Sequence, residues 1–302
     1  MRIGIDLGGT KIEAALMDSR GAIRARLRIA TPPDYERLLS AMAEAVEEVE
    51  KEAGGARGQV VGVAMPGSLS PVTGLMRNAN SVWLNGKPLK EDLERVLARP
   101  VRMANDANCF ALSEATDGAG AGAPVVFGVI LGTGCGGGVV VDGKVIEGVN
   151  AIAGEWGHTP LPWPTPDELP FEADWCGRKG CLETWLSGSG LARWGSKILG
   201  RRADAEEIVA LSRSGDATGA KIMDLYADKL ARALAVVIDI LDPDVIVAGG
   251  GLSNVEEIYP AVRAKLAPYV FSDVIKTRFV KNMHGDSSGI RGAAWLWRPD
   301  EM

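Results

Sequence analysis

The segment Ile3–Asp18, IGIDLGGTKIEAALMD, has a counterpart at Phe127–Asp142, FGVILGTGCGGGVVVD. Each copy is an apolar run, a glycine-rich turn and a second run closed by aspartate. Superposed, Gly4 falls on Gly128, Leu7 on Leu131, Gly8 on Gly132 and Asp18 on Asp142. This is the pattern of a duplicated β-hairpin, so the chain must accommodate two related glycine turns far apart in sequence. The copies differ where chemistry is carried: Asp6 and Lys11 of the first correspond to Ile130 and Cys135 of the second. The two turns therefore do different jobs.

Two familiar nucleotide motifs do not apply. Gly132, Gly134 and Gly137 spell GxGxxG, but that fingerprint requires a helix after the glycines, and VVVDGKV reads as a strand and a turn. No GxxxxGK[ST] run occurs. What remains is a pair of turns whose backbone N–H groups can approach an anion without side-chain obstruction. A third glycine turn, Gly249, Gly250 and Gly251, follows the apolar strand DVIVA, which is suited either to a ligand lying against backbone or to tight strand-to-helix packing.

Between these turns the periodicity predicts a strand near Ala22–Ile29, a helix over Tyr35–Ala53, a strand over Gln59–Met65 and a helix over Leu89–Ala98. A strand at Val101–Ala104 then hands over to a helix at Asn105, Asp106 and Asn108. Asp106 is there either a helix cap or a catalytic carboxylate, because strand ends are the usual ligand-binding edge of α/β sheets. The polar loop after Met65 carries Asn78, Asn80, Ser81 and Asn85. Asn85 before Gly86 reads as turn chemistry, while Asn78 or Asn80 suits a polyhydroxylated ligand. Further on come GEWGH, with Glu155 and His158, and DWCGRKGCLE, with Asp174, Cys176, Cys181 and Glu183. The histidine and the cysteine pair have the chemistry of tetrahedral zinc, although the bare spacing matches no common finger. Cys109 and Cys135 read as small buried side chains. A helix over Ala220–Leu241 and a last apolar helix within Gly285–Trp297 complete the chain.

The successive segments IGIDLGGTK, MPGSLSP, ANDANC, GTGCGGG, GEWGH, CGRKGCLE and DPDVIVAGGG resemble, in order and along almost the whole chain, the signatures of the ROK sugar kinases. The resemblance implies an α/β, two-domain actin-like ATPase fold of the hexokinase and ribonuclease H-like type, with duplicated hairpin phosphate loops and a cleft between domains. It assigns Asp106 as catalytic base and Asn105, Glu155, His158 and Glu183 as sugar contacts, to which the reading of the polar loop adds Asn80. Asp6, Gly9, Thr10 and Lys11 match the first phosphate loop, Gly132, Thr133 and Gly134 the second, and Gly249 to Gly251 the adenosine pocket. ATP, Mg²⁺ and a structural Zn²⁺ are the implied cofactors. The family's zinc pattern has three cysteines, and this chain departs from it with Asp174 at the first. The resemblance thus leaves a set of His158, Asp174, Cys176 and Cys181 beside a metal-free loop as readings. NANSVWLNG and HGDSSGIRGAAWLW further resemble the bacterial fructokinase branch.

The expected activity is therefore ATP-dependent phosphorylation of a hexose, fructose first, with mannose, glucose, N-acetylglucosamine and N-acetylmannosamine as alternatives and a non-catalytic sugar-binding regulator behind them. The expected domains are 1–105, with a C-terminal helix at 288–302 packing back on it, and 106–287. A homodimer is implied by the resemblance alone. A net charge of −6 opposes nucleic acid as a partner. The absence of a long apolar run or an apolar leader gives a cytoplasmic expectation with no membrane contact.

Overall fold

A computed structural model describes residues 1–79 and 81–301. The fold repeats the duplication on a larger scale than the hairpins. Strands β1 (Arg2–Leu7), β2 (Lys11–Met17), β3 (Ile23–Ala30), β4 (Val60–Met65) and β7 (Val101–Asn105) form one five-stranded sheet in the order β3-β2-β1-β4-β7. Strands β8 (Val125–Leu131), β9 (Cys135–Val141), β10 (Lys144–Val145), β11 (Val245–Gly249) and β12 (Arg278–Lys281) form the second, in the order β10-β9-β8-β11-β12. In the first sheet β1 pairs antiparallel with β2 and parallel with β4, and in the second β8 pairs parallel with β11. The residue-by-residue alignment holds, since β2 falls on β9 throughout and β1 and β8 both end on the aligned leucines. A small pair, β5 (Ser68–Leu69) with β6 (Met76–Arg77), lies in the polar loop.

The chain divides into two compact units. The first comprises Met1–Gly122, Gly138–Ala153 and His284–Met302, and the second comprises Ala123–Gly137 and Gly154–Met283. In the first unit, alternation along the strands separates two unlike faces. Ile3, Ile5, Leu7, Val61, Val63 and Met65 join one apolar core with Leu38, Met42 and Val49 of α1 (Tyr35–Glu52) and Leu89 and Leu93 of α2 (Leu89–Leu97). The opposite face carries Gly4, Gly62 and Ala64, residues with almost no side chain. Helix α9 (Ser288–Trp295) fills that space: a Cβ on Gly4 would lie 2.1 Å from Ile290 O, and one on Gly62 would lie 1.7 Å from Ala293 O.

On its other side α9 meets α3 (Asp106–Asp117), where a Cβ on Gly292 would lie 1.7 Å from Cys109 O. These backbone-to-backbone contacts group α3 with the first unit. The sequence-based division at residue 105 assigns that helix to the second domain instead.

The second unit surrounds β8, β11 and β12 with α4 (Glu183–Leu186), α5 (Gly188–Leu199), α6 (Ala205–Arg213), α7 (Ala217–Leu241) and α8 (Ile258–Lys265). Helix α7 starts at Asp216, whose carboxylate accepts from Gly219 N–H, and buries Ile222, Tyr226, Leu230 and Leu234. It stops at Asp242, which adopts a left-handed conformation (φ 46°) before Pro243. Helices α4, α5 and α6 and strand β12 have no counterpart in the sequence-based reading. Among the described residues no helix is long and apolar enough to cross a membrane.

Candidate active site

Asp6, on the same strand face as Gly4, is set beside α9 at the carboxyl end of β1: a Cβ on Gly289 would lie 2.7 Å from Asp6 Oδ2. Burial pushes the Asp6 carboxyl up to about 6, and Asp106 and then Glu13 add to the rise against the pull of Lys11 and Arg28. Glu13 is the cross-strand partner of Asp6 and is almost wholly buried. Despite its burial, Arg26 and Arg28 hold its carboxyl below the usual range, with Arg28 Nη2 donating to Oε2 at 3.0 Å. A half-buried carboxylate crowded by two others is a site that gains from a cation. Asp6 therefore fits the magnesium role on its chemistry.

The first glycine turn closes by Gly8 N–H donating to Lys11 O at 2.9 Å, which leaves Gly9 and Thr10 exposed at its tip. Asp106 is the first residue of α3, and the N-cap is Asn105, whose Oδ1 accepts from Ala107 N–H at 2.9 Å. The capping function considered for Asp106 thus falls to its neighbour. Asp106 Oδ1 also accepts from Ala107 N–H, at 2.8 Å, and the residue is exposed.

Asn105 also reaches back to the polar loop, with Nδ2 donating to Gly67 O at 3.1 Å. Gly67 needs its positive φ of 73° and its missing side chain, since a Cβ would lie 2.3 Å from Arg77 O. Asn85, read from the sequence as turn chemistry, clamps the Ala79 peptide from both sides, accepting from its N–H at 2.9 Å and donating to its carbonyl at 3.1 Å. Asn78 takes a left-handed conformation (φ 57°) and is exposed. Asn80, expected to contact sugar, lies outside the described residues.

In the second unit, the second glycine turn joins β8 to β9, so the hairpin reading of GTGCGGG holds. Its Gly132 N–H donates to Gly134 O at 3.0 Å. The third glycine turn packs on it directly: Gly250 has φ 81°, and a Cβ there would lie 2.6 Å from the Leu131 carbonyl. Gly249 is the buried end of β11, and Gly250 and Gly251 are exposed.

Cys135 is the hub of the other side of this hairpin, through its backbone rather than its buried thiol. Its N–H donates to Glu183 Oε2 at 2.9 Å, and a Cβ on Gly157 would lie 1.9 Å from its carbonyl oxygen. Trp156 of the same GEWGH turn donates from Nε1 to Gly136 O at 2.8 Å and meets Phe127 edge-on at 5.7 Å. Glu155, His158 and Glu183 are thereby anchored to one strand.

His158, Asp174, Cys176 and Cys181 converge, with one ligand atom from each lying within 4.8 Å of all the others. His158 Nδ1 and Asp174 Oδ2 are 3.2 Å apart, and the two sulfurs are 3.6 Å apart. Zinc bonds of about 2.0–2.3 Å to N, O and S give tetrahedral edges of roughly 3.3–3.8 Å, so the donor set fits zinc in kind and these two separations lie close to such edges. The loop is shaped by Asp174 N–H donating to Arg178 O at 2.7 Å and by left-handed Gly177 and Gly180.

Sequence reasoning missed three contributors. Trp175, between two members of the cluster, donates from Nε1 to Glu183 Oε1 at 2.6 Å and meets the His158 ring edge-on at 5.3 Å. Its position inside DWC was the available signal. Glu13 gave none beyond its place opposite Asp6. The third is a buried knot in which Glu168 takes Lys229 at 2.7 Å and Arg232 at 2.6 Å. Arg232 also donates to Pro162 O and Trp163 O, which fixes the proline-rich segment between His158 and Asp174 to α7.

Glycine-hairpin sheets of this order, with a carboxylate on β1 and another at the start of α3, define the actin-like ATPase class of α/β proteins. Within that class the chain belongs to the ROK family, whose model matches residues 2–300. It is 40% identical over 299 residues to the N-acetylgalactosamine kinase AgaK of Shewanella sp. (strain ANA-3), covering 98% of this chain and 96% of the relative. It is also 40% identical over 301 residues to the N-acetyl-D-glucosamine kinase of Vibrio atlanticus (strain LGP32), covering 98% and 99%. The ROK hexokinase structure from Thermus thermophilus superposes with a TM-score of 0.86 at 33% identity, covering 97% of this chain and 96% of that one. The ROK sugar-kinase expectation is thus met, whereas these relatives do not carry the fructokinase name.

Proposed function

We propose that this protein is an ATP-dependent hexose kinase that transfers the γ-phosphoryl group to the 6-hydroxyl of its sugar. Membership of the ROK family over essentially the whole chain carries the reading. The two full-length relatives, named for N-acetylated hexosamines, make N-acetylglucosamine or its galacto epimer the first acceptor to test. Fructose is the second reading, favoured by the resemblance of NANSVWLNG and HGDSSGIRGAAWLW to the fructokinase branch.

In this proposal the sugar oxygen bonds to phosphorus as the bond from the γ-phosphorus to the bridging oxygen breaks and ADP leaves. Asp106 orients the hydroxyl and takes its proton late, when the oxygen is already bonding to phosphorus. Asn105, Asn80, Glu155, His158 and Glu183 bind the remaining hydroxyls. Lys11 and the N–H groups at Gly9, Thr10, Thr133 and Gly134 offset phosphate charge, Gly132 closes the second turn that presents them, and Gly249 to Gly251 offer a wall to the adenine nucleotide. Asp6 would hold Mg²⁺, which would supply neutralisation of phosphate charge when bound. A zinc ion at His158, Asp174, Cys176 and Cys181 would be structural, orienting His158 and its loop. A homodimer belongs to the same proposal, and light scattering of the purified chain tests it. The activity is tested by hexose-dependent ADP release from ATP and magnesium. Silence on all hexoses in folded protein would overturn the reading.

A further inference from the structure

The geometry points to Trp175 as a positioning residue of the acceptor site, acting through Glu183. Trp175 is 70% exposed, an unusual state for the largest apolar side chain. Its polar edge is nonetheless committed, with Nε1 donating to Glu183 Oε1 at 2.6 Å. The other carboxylate oxygen takes the Cys135 N–H at 2.9 Å. Glu183 is therefore held from two sides, by the loop of the cysteine cluster and by the second glycine turn. A carboxylate fixed by two donors keeps lone pairs directed at a third partner, and it loses little rotamer freedom when that partner arrives.

The arrangement is made by neighbours in sequence. Asp174 and Cys176, on either side of Trp175, turn inward toward Cys181, with Cys176 N–H donating to Asp174 Oδ2 at 3.3 Å, so the intervening side chain is turned outward. The His158 ring, edge-on at 5.3 Å, limits the indole on one side. Gly134 leaves room for the carboxylate itself, since a Cβ there would lie 2.8 Å from Glu183 Oε2. Order in the cluster loop is thus transmitted to Glu183 by one indole N–H.

This inference rests on the proposed kinase reading for the acceptor's identity, but the clamp itself has an independent readout. In full-length protein labelled with ¹⁵N-tryptophan, the Trp175 indole signal is the one lost in Trp175→Phe. Glu183→Gln is expected to shift it, and an unmoved signal would overturn the clamp whatever the enzyme does. In kinetics, Trp175→Phe keeps the ring and removes the donor. Loss of a hydrogen bond to a charged group is expected to raise the sugar KM about tenfold. The same variant should leave kcat and the KM for ATP within about twofold, with metal content unchanged. An unaltered sugar KM, or an equal rise in the KM for ATP, would overturn the positioning role. A wild-type protein that phosphorylates no hexose would remove the acceptor role while the indole signal still reports the clamp.

Discussion

Asp6 and Glu13 face each other in register across β1 and β2, and their surroundings drive the two carboxyls in opposite directions. Burial and the neighbouring carboxylates raise Asp6 to about 6, whereas Arg26 and Arg28 keep Glu13 below its usual range despite burial. Paired titratable groups pushed apart in this way suit different roles, and in the proposed mechanism Glu13 stands as a fixed anion while Asp6 would receive the cation.

A stability consequence follows from the sign of the Asp6 shift. A carboxyl raised in the folded state favours folding below its unfolded pKa, and that advantage is lost as pH rises through about 4 to about 6. Asp6→Asn should therefore be more stable than wild type at pH 8, by on the order of 1–3 kcal/mol. The gap should close near pH 4, while turnover is lost. Thermal melts at the two pH values check it, and a variant destabilised equally at both would contradict it.

Asp106→Asn should leave sugar binding nearly intact and lower kcat by about 10²–10⁴-fold, the usual worth of a positioned proton acceptor. Calorimetry with the sugar alone, beside steady-state rates, separates the two effects. Equal loss of binding and turnover would move Asp106 from base to sugar ligand.

The zinc assignment makes a stoichiometric claim. The purified protein should carry about one zinc per chain, and Cys181→Ser should lose it. Metal loss should raise the sugar KM more than the KM for ATP, because the cluster includes His158 and its loop holds the donor to Glu183. Elemental analysis and kinetics on the same sample decide the matter; full sugar affinity without metal would refute the coupling.

Gly62→Ala should destabilise the fold by about 1–3 kcal/mol, the typical cost of overpacking. The added methyl would meet the Ala293 carbonyl, which belongs to the α9 backbone and cannot rotate away as a side chain does. Denaturant midpoints measure this; an unchanged midpoint would mean that α9 shifts readily on the sheet.

Much of this was legible because it is local. The hairpins showed in the alignment of Leu7 with Leu131, and α1 showed in the spacing of Leu38, Met42, Val46 and Val49. Helix α5 is hidden from local spacing because its apolar stripe is interrupted by Gly188, Gly190 and Gly195, the last of which packs where a Cβ would lie 2.6 Å from Ile208. Local spacing also could not show the knot at Glu168, whose partners Lys229 and Arg232 lie far along the chain. Nor could it show that Asn85 grips Ala79, because an asparagine before glycine has a sufficient local explanation as a turn. The cysteine cluster was visible as residue types, but its convergence depends on Gly177 and Gly180 bending the loop.

The most direct test of the central claim is ADP release from ATP and magnesium across N-acetylglucosamine, N-acetylgalactosamine, N-acetylmannosamine, fructose, mannose and glucose. The account predicts turnover on at least one of these sugars, with an N-acetylated hexosamine preferred and fructose next. Turnover should disappear in Asp106→Asn. Folded, metal-loaded protein that releases no ADP with any of the six would contradict it and would leave a sugar-binding protein without phosphoryl transfer.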